Sequence, residues 1–150
     1  HGDCARTWPC GNVKSDRLKL IEVTEQSFFE GLKYAHPGNR LSDISHAIEM
    51  YAKKFNYGVV RDFTGHGVGS KLHEDPAVPN YGKEGMGPVL RKGMTLAIEP
   101  MINMGTYKVK ILADGWTTIT SDHSPSAHYE NSIVITDNGY EILTKIKEND

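Results

Sequence analysis

The sequence has few of the features that mark secreted, zinc-knuckle or membrane-spanning proteins. Only two of its 150 residues are cysteine, Cys4 and Cys10, which is too few for a four-ligand zinc site of cysteines or for a disulfide framework. We expect two reduced thiols, with a single disulfide as the alternative. The longest apolar runs, such as residues 132–135, are a few residues long. They fall far below the roughly 20 residues that cross a bilayer, so no membrane partner is expected.

An excess of charge of one sign is also missing. Seventeen Lys and Arg against nineteen Asp and Glu give a net charge of -2, so no basic field draws the chain to nucleic acid. The 38% hydrophobic and 24% charged residues are typical of one soluble globular domain, and residues 1–150 are treated as such. A chain of this length buries roughly two-thirds of its unfolded surface.

Two amphipathic helices are predicted in the first part of the chain. The first has Ser15 as N-cap and runs through Tyr34, and the second has Ser42 as N-cap and runs to Phe55. Apolar residues recur at helical spacing in both. In the first helix they are Leu18, Ile21, Phe28, Leu32 and Ala35, and in the second Ile44, Ala47, Ile48, Tyr51, Ala52 and Phe55.

From Val59 onward, glycine, proline and short β-branched runs replace the helical pattern. This change predicts an α+β fold with an antiparallel sheet covered by the two helices. The expected strands are 59–63, 94–102, 107–113, 116–121, 128–136 and 141–144. Asp114-Gly115 predicts a type I′ hairpin turn, and residues 137–139 a second turn. Residues 69–92 are predicted to form a long functional connection.

Four side chains of metal-ligand type fall at strand positions: Asp3, His66, Glu99 and Glu130. A carboxylate within an apolar strand is costly to bury, so Glu99 and Glu130 either face solvent or are paired or bound to a metal. Glycines on both sides of His66 would let the backbone bend tightly around its imidazole. The segment GHGVG at 65–69 lacks the G-x-G-x-x-G pattern and opens a loop rather than a helix, which disfavours nucleotide binding.

Taken together, the motifs carry a specific resemblance. They are HGD at 1–3, GHGVG at 65–69, HEDP at 73–76, GMTLAIEPM at 93–101, DGWT at 114–117 and SAHYE at 126–130. The chain closely resembles the type I methionine aminopeptidases over essentially its whole length. The resemblance implies the creatinase/aminopeptidase "pita-bread" fold, with a metal site in the concave face of its sheet. It also implies that a hydroxide bridging two divalent metals removes the N-terminal Met of nascent polypeptides.

The resemblance also implies roles for single residues. Asp3 and Glu130 would bridge the two metals, while His66 and Glu99 would bind one of them. Glu99 would also shuttle a proton to the leaving amine, and His73 would hydrogen-bond the substrate. Trp116 matches a residue of the methionine pocket, and Leu72 stands where the family often has an aromatic residue.

Carboxylate-rich ligation with one imidazole suits manganese, iron or cobalt, and zinc less exclusively. A cytoplasmic monomer is expected, with the ribosome as a further candidate partner.

The family's further aspartate ligand, a histidine and more of its pocket would fall before His1. We therefore expect a C-terminal portion of the catalytic domain, incomplete at its N-terminus, with little or no activity alone. Appreciable turnover of a Met-Gly peptide by the chain alone would contradict this expectation.

Two alternative functions stay open. X-Pro aminopeptidases and prolidases share a glycine-flanked histidine and a Glu-Pro dipeptide, although residues 114–116 and 126–130 favour the methionine enzymes. The other alternative is a pita-bread binding module without catalysis. Retention of the ligands Asp3, His66, Glu99 and Glu130 disfavours such a module.

Overall fold

In the computed structural model, which describes residues 1–145, two helices cover curled antiparallel sheets. The helices are α1 (Ser15–Leu32) and α2 (Leu41–Lys53). The strands are β1 (Cys4–Ala5), β2 (Gly58–Val59), β3 (Gly65–Gly67), β4 (Glu74–Val78), β5 (Thr95–Ile98), β6 (Met101–Asn103), β7 (Val109–Ile111), β8 (Thr118–Thr120), β9 (Ser126–His128), β10 (Glu130–Thr136) and β11 (Gly139–Ile142).

Every strand pairing in the described part of the chain is antiparallel, which confirms the predicted α+β class. The largest sheet has the order β1-β10-β5-β3-β4, with β11 also paired to β10. A second sheet has the order β2-β6-β9, and β7 and β8 form a separate hairpin. The predicted strands 94–102 and 128–136 are each divided between the two larger sheets.

The two divided strands are interrupted at positions that lie opposite each other, residues 99–100 in one and residue 129 in the other. At the break, the Tyr129 N–H donates to the carbonyl of Pro100 at 3.2 Å. The pairing keeps one register on both sides, as the pairs Ile98–Asn131 and Met101–His128 show. Glu99 and Glu130 therefore lie opposite each other where both strands leave one sheet for the other.

Two apolar clusters hold the helices on the sheets. The larger joins α1 and α2 to the main sheet and includes Phe28, Ile44, Ile48, Leu96 and Ile133. The smaller joins the helices to the second sheet through Leu20, Ala52, Val59, Ile102 and Ala127. The two helices approach closely at Gly31, where an added Cβ would lie 2.8 Å from Cγ1 of Ile48.

The predicted helix caps are wrong. The N-caps are Lys14 and Arg40. The Arg40 N–H donates to Oδ2 of Asp43 at 2.8 Å, while the Ser42 hydroxyl accepts a hydrogen bond from the N–H of Met86. A tertiary contact thus uses the hydroxyl that local sequence reasoning assigned to the cap. Leu18 is 44% exposed rather than in the core, because Leu20 and Val23 supply the buried face there.

The loops also differ from the prediction. Strand β2 ends at Val59 rather than Phe63, and the connection 69–92 contains strand β4, which pairs with β3. In the 114–115 turn only Gly115 has a positive φ, of 70°. A type I′ turn needs two such residues. Instead, Oδ1 of Asp114 accepts hydrogen bonds from the N–H groups of Trp116 and Thr117.

Neither helix described between residues 1 and 145 has the combination of length and apolar character that a bilayer crossing needs. Cys4 and Cys10 are exposed free thiols.

Truncation of the main cluster should destabilise the chain strongly. Phe28 is fully buried and contacts the Tyr129 ring at a centroid distance of 5.2 Å. We expect Phe28→Ala to lower the free energy of unfolding by about 3–5 kcal/mol, because both transfer energy and packing are lost. Leu18→Ala, at an exposed helical position, should stay within about 0.5 kcal/mol. Urea unfolding followed by circular dichroism measures the free energy of unfolding of both variants. Equal losses of stability in the two would contradict the assignment of Phe28 to the core.

Candidate metal centre

Neighbouring strands bring the four predicted ligands together. Asp3 directly precedes β1, Glu130 begins β10, Glu99 follows β5, and His66 is the middle residue of β3. These strands lie side by side in the order β1-β10-β5-β3. Residues far apart in sequence therefore meet across one end of the main sheet.

Glycines flank His66 on a strand that lies very close to its neighbours. His66 pairs with Ala97, and Glu99 lies two residues further along the same strand and so faces the same side. A Cβ at Gly65 would clash with the carbonyl oxygen of Ala97, and one at Gly67 with the carbonyl oxygen of Asp75. Neither glycine is among the residues with positive φ. The two glycines thus permit close strand approach rather than the expected tight bend. His66 lies at a strand position, as expected.

Hydrogen bonding fixes which nitrogen of His66 faces the cluster. Its Nδ1 lies 2.9 Å from the Gly67 carbonyl, which only accepts, so Nδ1 carries the hydrogen. Nε2 then carries the lone pair and lies 3.6 Å from Oδ2 of Asp3 and 3.6 Å from Oε1 of Glu99. Two carboxylate oxygens thus lie close to an imidazole nitrogen that carries no hydrogen. Such an arrangement needs a cation, either a proton or a metal ion.

The spacing of the ligand atoms fits a metal ion. One atom each from His66, Glu99 and Glu130 lies within 4.8 Å of the other two, and the same holds for Asp3, His66 and His73. Carboxylate oxygens and imidazole nitrogens suit manganese, iron, cobalt or zinc. The residues therefore fit one or more divalent cations.

Glu130 is the most perturbed acid of the cluster. It is 4% exposed, and its Oε1 has no hydrogen-bond partner among the described residues. Burial first, and then the charges of Glu99 and Asp3, raise its pKa to about 8, although the nearby Arg6 opposes the shift. A bound cation would take the place of the proton that Glu130 otherwise retains at neutral pH.

Of the three predicted substrate-binding residues, His73 lines the cavity next to His66, whereas Leu72 and Trp116 do not. The ring of His73 lies 4.3 Å from that of His66. Both line an open cavity of about 560 Å³, together with Lys71, Glu74 and others. Leu72, 38% exposed, and Trp116, 88% exposed near the tip of the β7–β8 hairpin, are not among the described residues that line it.

Sequence reasoning missed three residues that contact the cluster. The Nδ2 group of the fully buried Asn80 donates to the Glu99 carbonyl at 3.1 Å. The Arg6 guanidinium donates to the Glu130 carbonyl and lies 4.0 Å from the centre of the Tyr129 ring. His128 faces both glutamates. Only His128 had a sequence signal, because residues two apart on a strand share a face and His128 precedes Glu130 by two.

The fold thus gathers carboxylates and imidazoles into one candidate metal centre. Residues 1–137 match the family model described as Metallopeptidase family M24, and the chain belongs to this family.

Two similar curated relatives are methionine aminopeptidases. That of Clostridium perfringens is 56% identical over 147 residues, which cover 98% of this chain and 59% of the relative. Methionine aminopeptidase 1 of Bacillus subtilis is 53% identical over 146 residues, which cover 97% and 59%.

A crystal structure of methionine aminopeptidase from Thermotoga maritima matches with a TM-score of 0.94 and 49% identity, covering 97% of this chain and 58% of that one. These similarities confirm the predicted resemblance and the pita-bread fold. The chain spans 59% of the length of both curated relatives.

Ionisation of Glu130 should make the stability of the metal-free chain depend on pH. The pKa of about 8 in the folded chain lies above the ordinary value of 4.5. The folded chain therefore binds the proton more tightly, and the unaltered chain loses stability as pH rises from about 4.5 to about 8. Glu130→Gln cannot ionise, so its melting temperature should rise relative to the unaltered chain by several degrees over this interval.

Thermal unfolding at several pH values, with a chelator present, measures this difference. The matched control is Glu141→Gln, at an exposed position of β11, which should show no comparable trend. A difference between Glu130→Gln and the unaltered chain that is constant from pH 4 to pH 9 would contradict the proposed cost of burying this carboxylate.

Proposed function

We propose that this chain carries the catalytic metal ligands of a methionine aminopeptidase, which hydrolyses the peptide bond after an N-terminal Met. The observation that carries the proposal is the convergence of the His66 lone pair on the carboxylates of Asp3 and Glu99. The identity of 56% to a relative named methionine aminopeptidase supports this specificity over others.

The proposed centre would hold two divalent cations, of manganese, iron or cobalt, with zinc also compatible. Asp3 and Glu130 would be shared between them, because two adjacent cations require bridging anions. His66 and Glu99 would bind one of the two. The cations would polarise the scissile carbonyl and make water a stronger nucleophile at neutral pH.

Two side chains would act on the substrate directly. The Glu99 side chain is only 14% exposed, and its carboxylate would accept a proton from the attacking water and deliver it to the leaving amine. His73, in the wall of the cavity next to His66, would donate a hydrogen bond to the substrate at the scissile bond. This donor would orient the peptide and stabilise charge that develops on its oxygen.

Selectivity for Met would come from an apolar pocket to which Trp116 and Leu72 contribute. Both side chains are exposed in the described structure, so their apolar surface is available to contact a substrate. A small residue after Met is expected, because a tight pocket excludes large side chains more readily than it recognises small ones.

The remaining parts of the proposal concern its setting. Residues 1–150 would form one structural unit of the catalytic domain and act in the cytoplasm on nascent polypeptides. Ribosome docking and a monomeric state belong to the same proposal. Sedimentation with purified ribosomes and analytical ultracentrifugation test these two points.

Activity is best tested in a full-length context. This chain, which spans 59% of the Clostridium perfringens relative, replaces the matching segment of that enzyme. We expect the chimera, with Mn²⁺ or Co²⁺, to release Met from a Met-Gly-Gly peptide. Glu99→Gln should lower kcat by about 10²–10⁴-fold, because a group that relays the proton is lost.

Controls separate this function from the alternatives. Glu141→Gln should leave kcat and KM unchanged. Faster hydrolysis of Ala-Pro than of Met-Gly-Gly would favour an X-Pro peptidase. A folded, metal-loaded chimera that hydrolyses neither peptide would refute the proposed catalysis and favour a binding module.

A further inference from the structure

We propose that His128 is a positioning residue of the metal centre. Its Nε2–H group would hold one oxygen of Glu99 and so direct the other oxygen to the cation. This inference rests on the proposed function, since it concerns the same centre, but it assigns a role to a residue outside the ligand set.

Glu99 lies between two imidazoles. Its Oε1 is 3.6 Å from Nε2 of His66, and its Oε2 is 3.6 Å from Nε2 of His128. Oε2 of Glu130 lies 4.0 Å from the same His128 nitrogen. The His128 nitrogen is buried and has no hydrogen-bond partner among residues 1–145. An unpaired buried nitrogen directed at two carboxylates indicates an interaction that forms fully when the cluster is occupied.

The two histidines differ in which nitrogen carries the hydrogen. His66 must present a lone pair at Nε2, because its Nδ1 donates to a backbone carbonyl. No such hydrogen bond is found for Nδ1 of His128 within the described chain, so nothing there forces Nε2 to be unprotonated. The two carboxylates facing that nitrogen accept hydrogen bonds, so the tautomer with hydrogen on Nε2 complements them. His66 is thus arranged as a ligand and His128 as a donor.

The backbone holds His128 firmly in place. Its N–H donates to the Thr7 hydroxyl at 2.9 Å, and the same hydroxyl donates to the His128 carbonyl at 2.9 Å. The residue also pairs with Met101 across β9 and β6. A small carboxylate rotation would shorten the 3.6 Å separation to a hydrogen bond. Outer partners of this kind orient ligating carboxylates and raise metal affinity.

Three substitutions in the full 150-residue chain test the role of the donor. His128→Gln keeps a side-chain N–H at a similar reach, His128→Asn carries the same amide one methylene shorter, and His128→Leu has no donor. We expect His128→Leu and His128→Asn to weaken Mn²⁺ binding by about 10–100-fold. His128→Gln should bind Mn²⁺ with an affinity close to that of the unaltered chain. Isothermal titration calorimetry measures the affinities, and circular dichroism of each metal-free variant verifies folding.

A Co²⁺ absorption spectrum distinguishes positioning from direct ligation. The unaltered chain and His128→Gln should give the same ligand-field bands if His128 is not a ligand. Unchanged affinity in His128→Leu would overturn the inference while leaving the proposed centre intact. Loss of affinity in His128→Gln with shifted Co²⁺ bands would also overturn it, since His128 would then bind the metal itself. Failure of the unaltered chain to bind Mn²⁺ or Co²⁺ would refute the centre and this inference together.

Discussion

The candidate site depends on one electrostatic constraint, namely that acceptor atoms brought together without a hydrogen need a cation. Nε2 of His66 lies 3.6 Å from an oxygen of Asp3 and 3.6 Å from an oxygen of Glu99. The main sheet positions them there, because β1, β10, β5 and β3 lie side by side. The fold therefore maintains an arrangement that only a proton or a metal ion makes favourable.

The cost of this arrangement is concentrated in Glu130 and is offset elsewhere. A carboxylate that is 4% exposed beside two other acids resists ionisation, as its raised pKa of about 8 shows. The apolar cluster around Phe28 and Tyr129 packs behind the strand that carries it. A metal that binds the folded chain and replaces the proton would add its binding free energy to folding. Stability and metal binding would thus be linked in the proposed centre.

Much of the architecture could be predicted from the sequence, because it depends on local patterns, whereas the roles of Asp3, His66, Glu99 and Glu130 as ligands follow from the resemblance and stay a prediction. The apolar spacing of α2 is regular, and Ile44, Ile48 and Ala52 are buried as expected. Features set by tertiary contacts could not be predicted. The Ser42 hydroxyl bonds to Met86 rather than to its own helix end. The break of two long strands at Glu99 and Tyr129 depends on their mutual pairing, which no single segment records.

His66 and His128 show why residue type alone does not decide a role at such a site. Both present Nε2 to Glu99 at 3.6 Å, one on each carboxylate oxygen. The two histidines differ in the hydrogen-bond partner of Nδ1. The Gly67 carbonyl accepts from Nδ1 of His66 and so determines its tautomer, whereas no described residue bonds to Nδ1 of His128. Because that carbonyl belongs to the backbone, its effect is visible only once the strand is folded. In the proposed centre, identical side chains on either side of one carboxylate would therefore have opposite functions: His66 would accept toward a cation, and His128 would donate to the carboxylate that holds it.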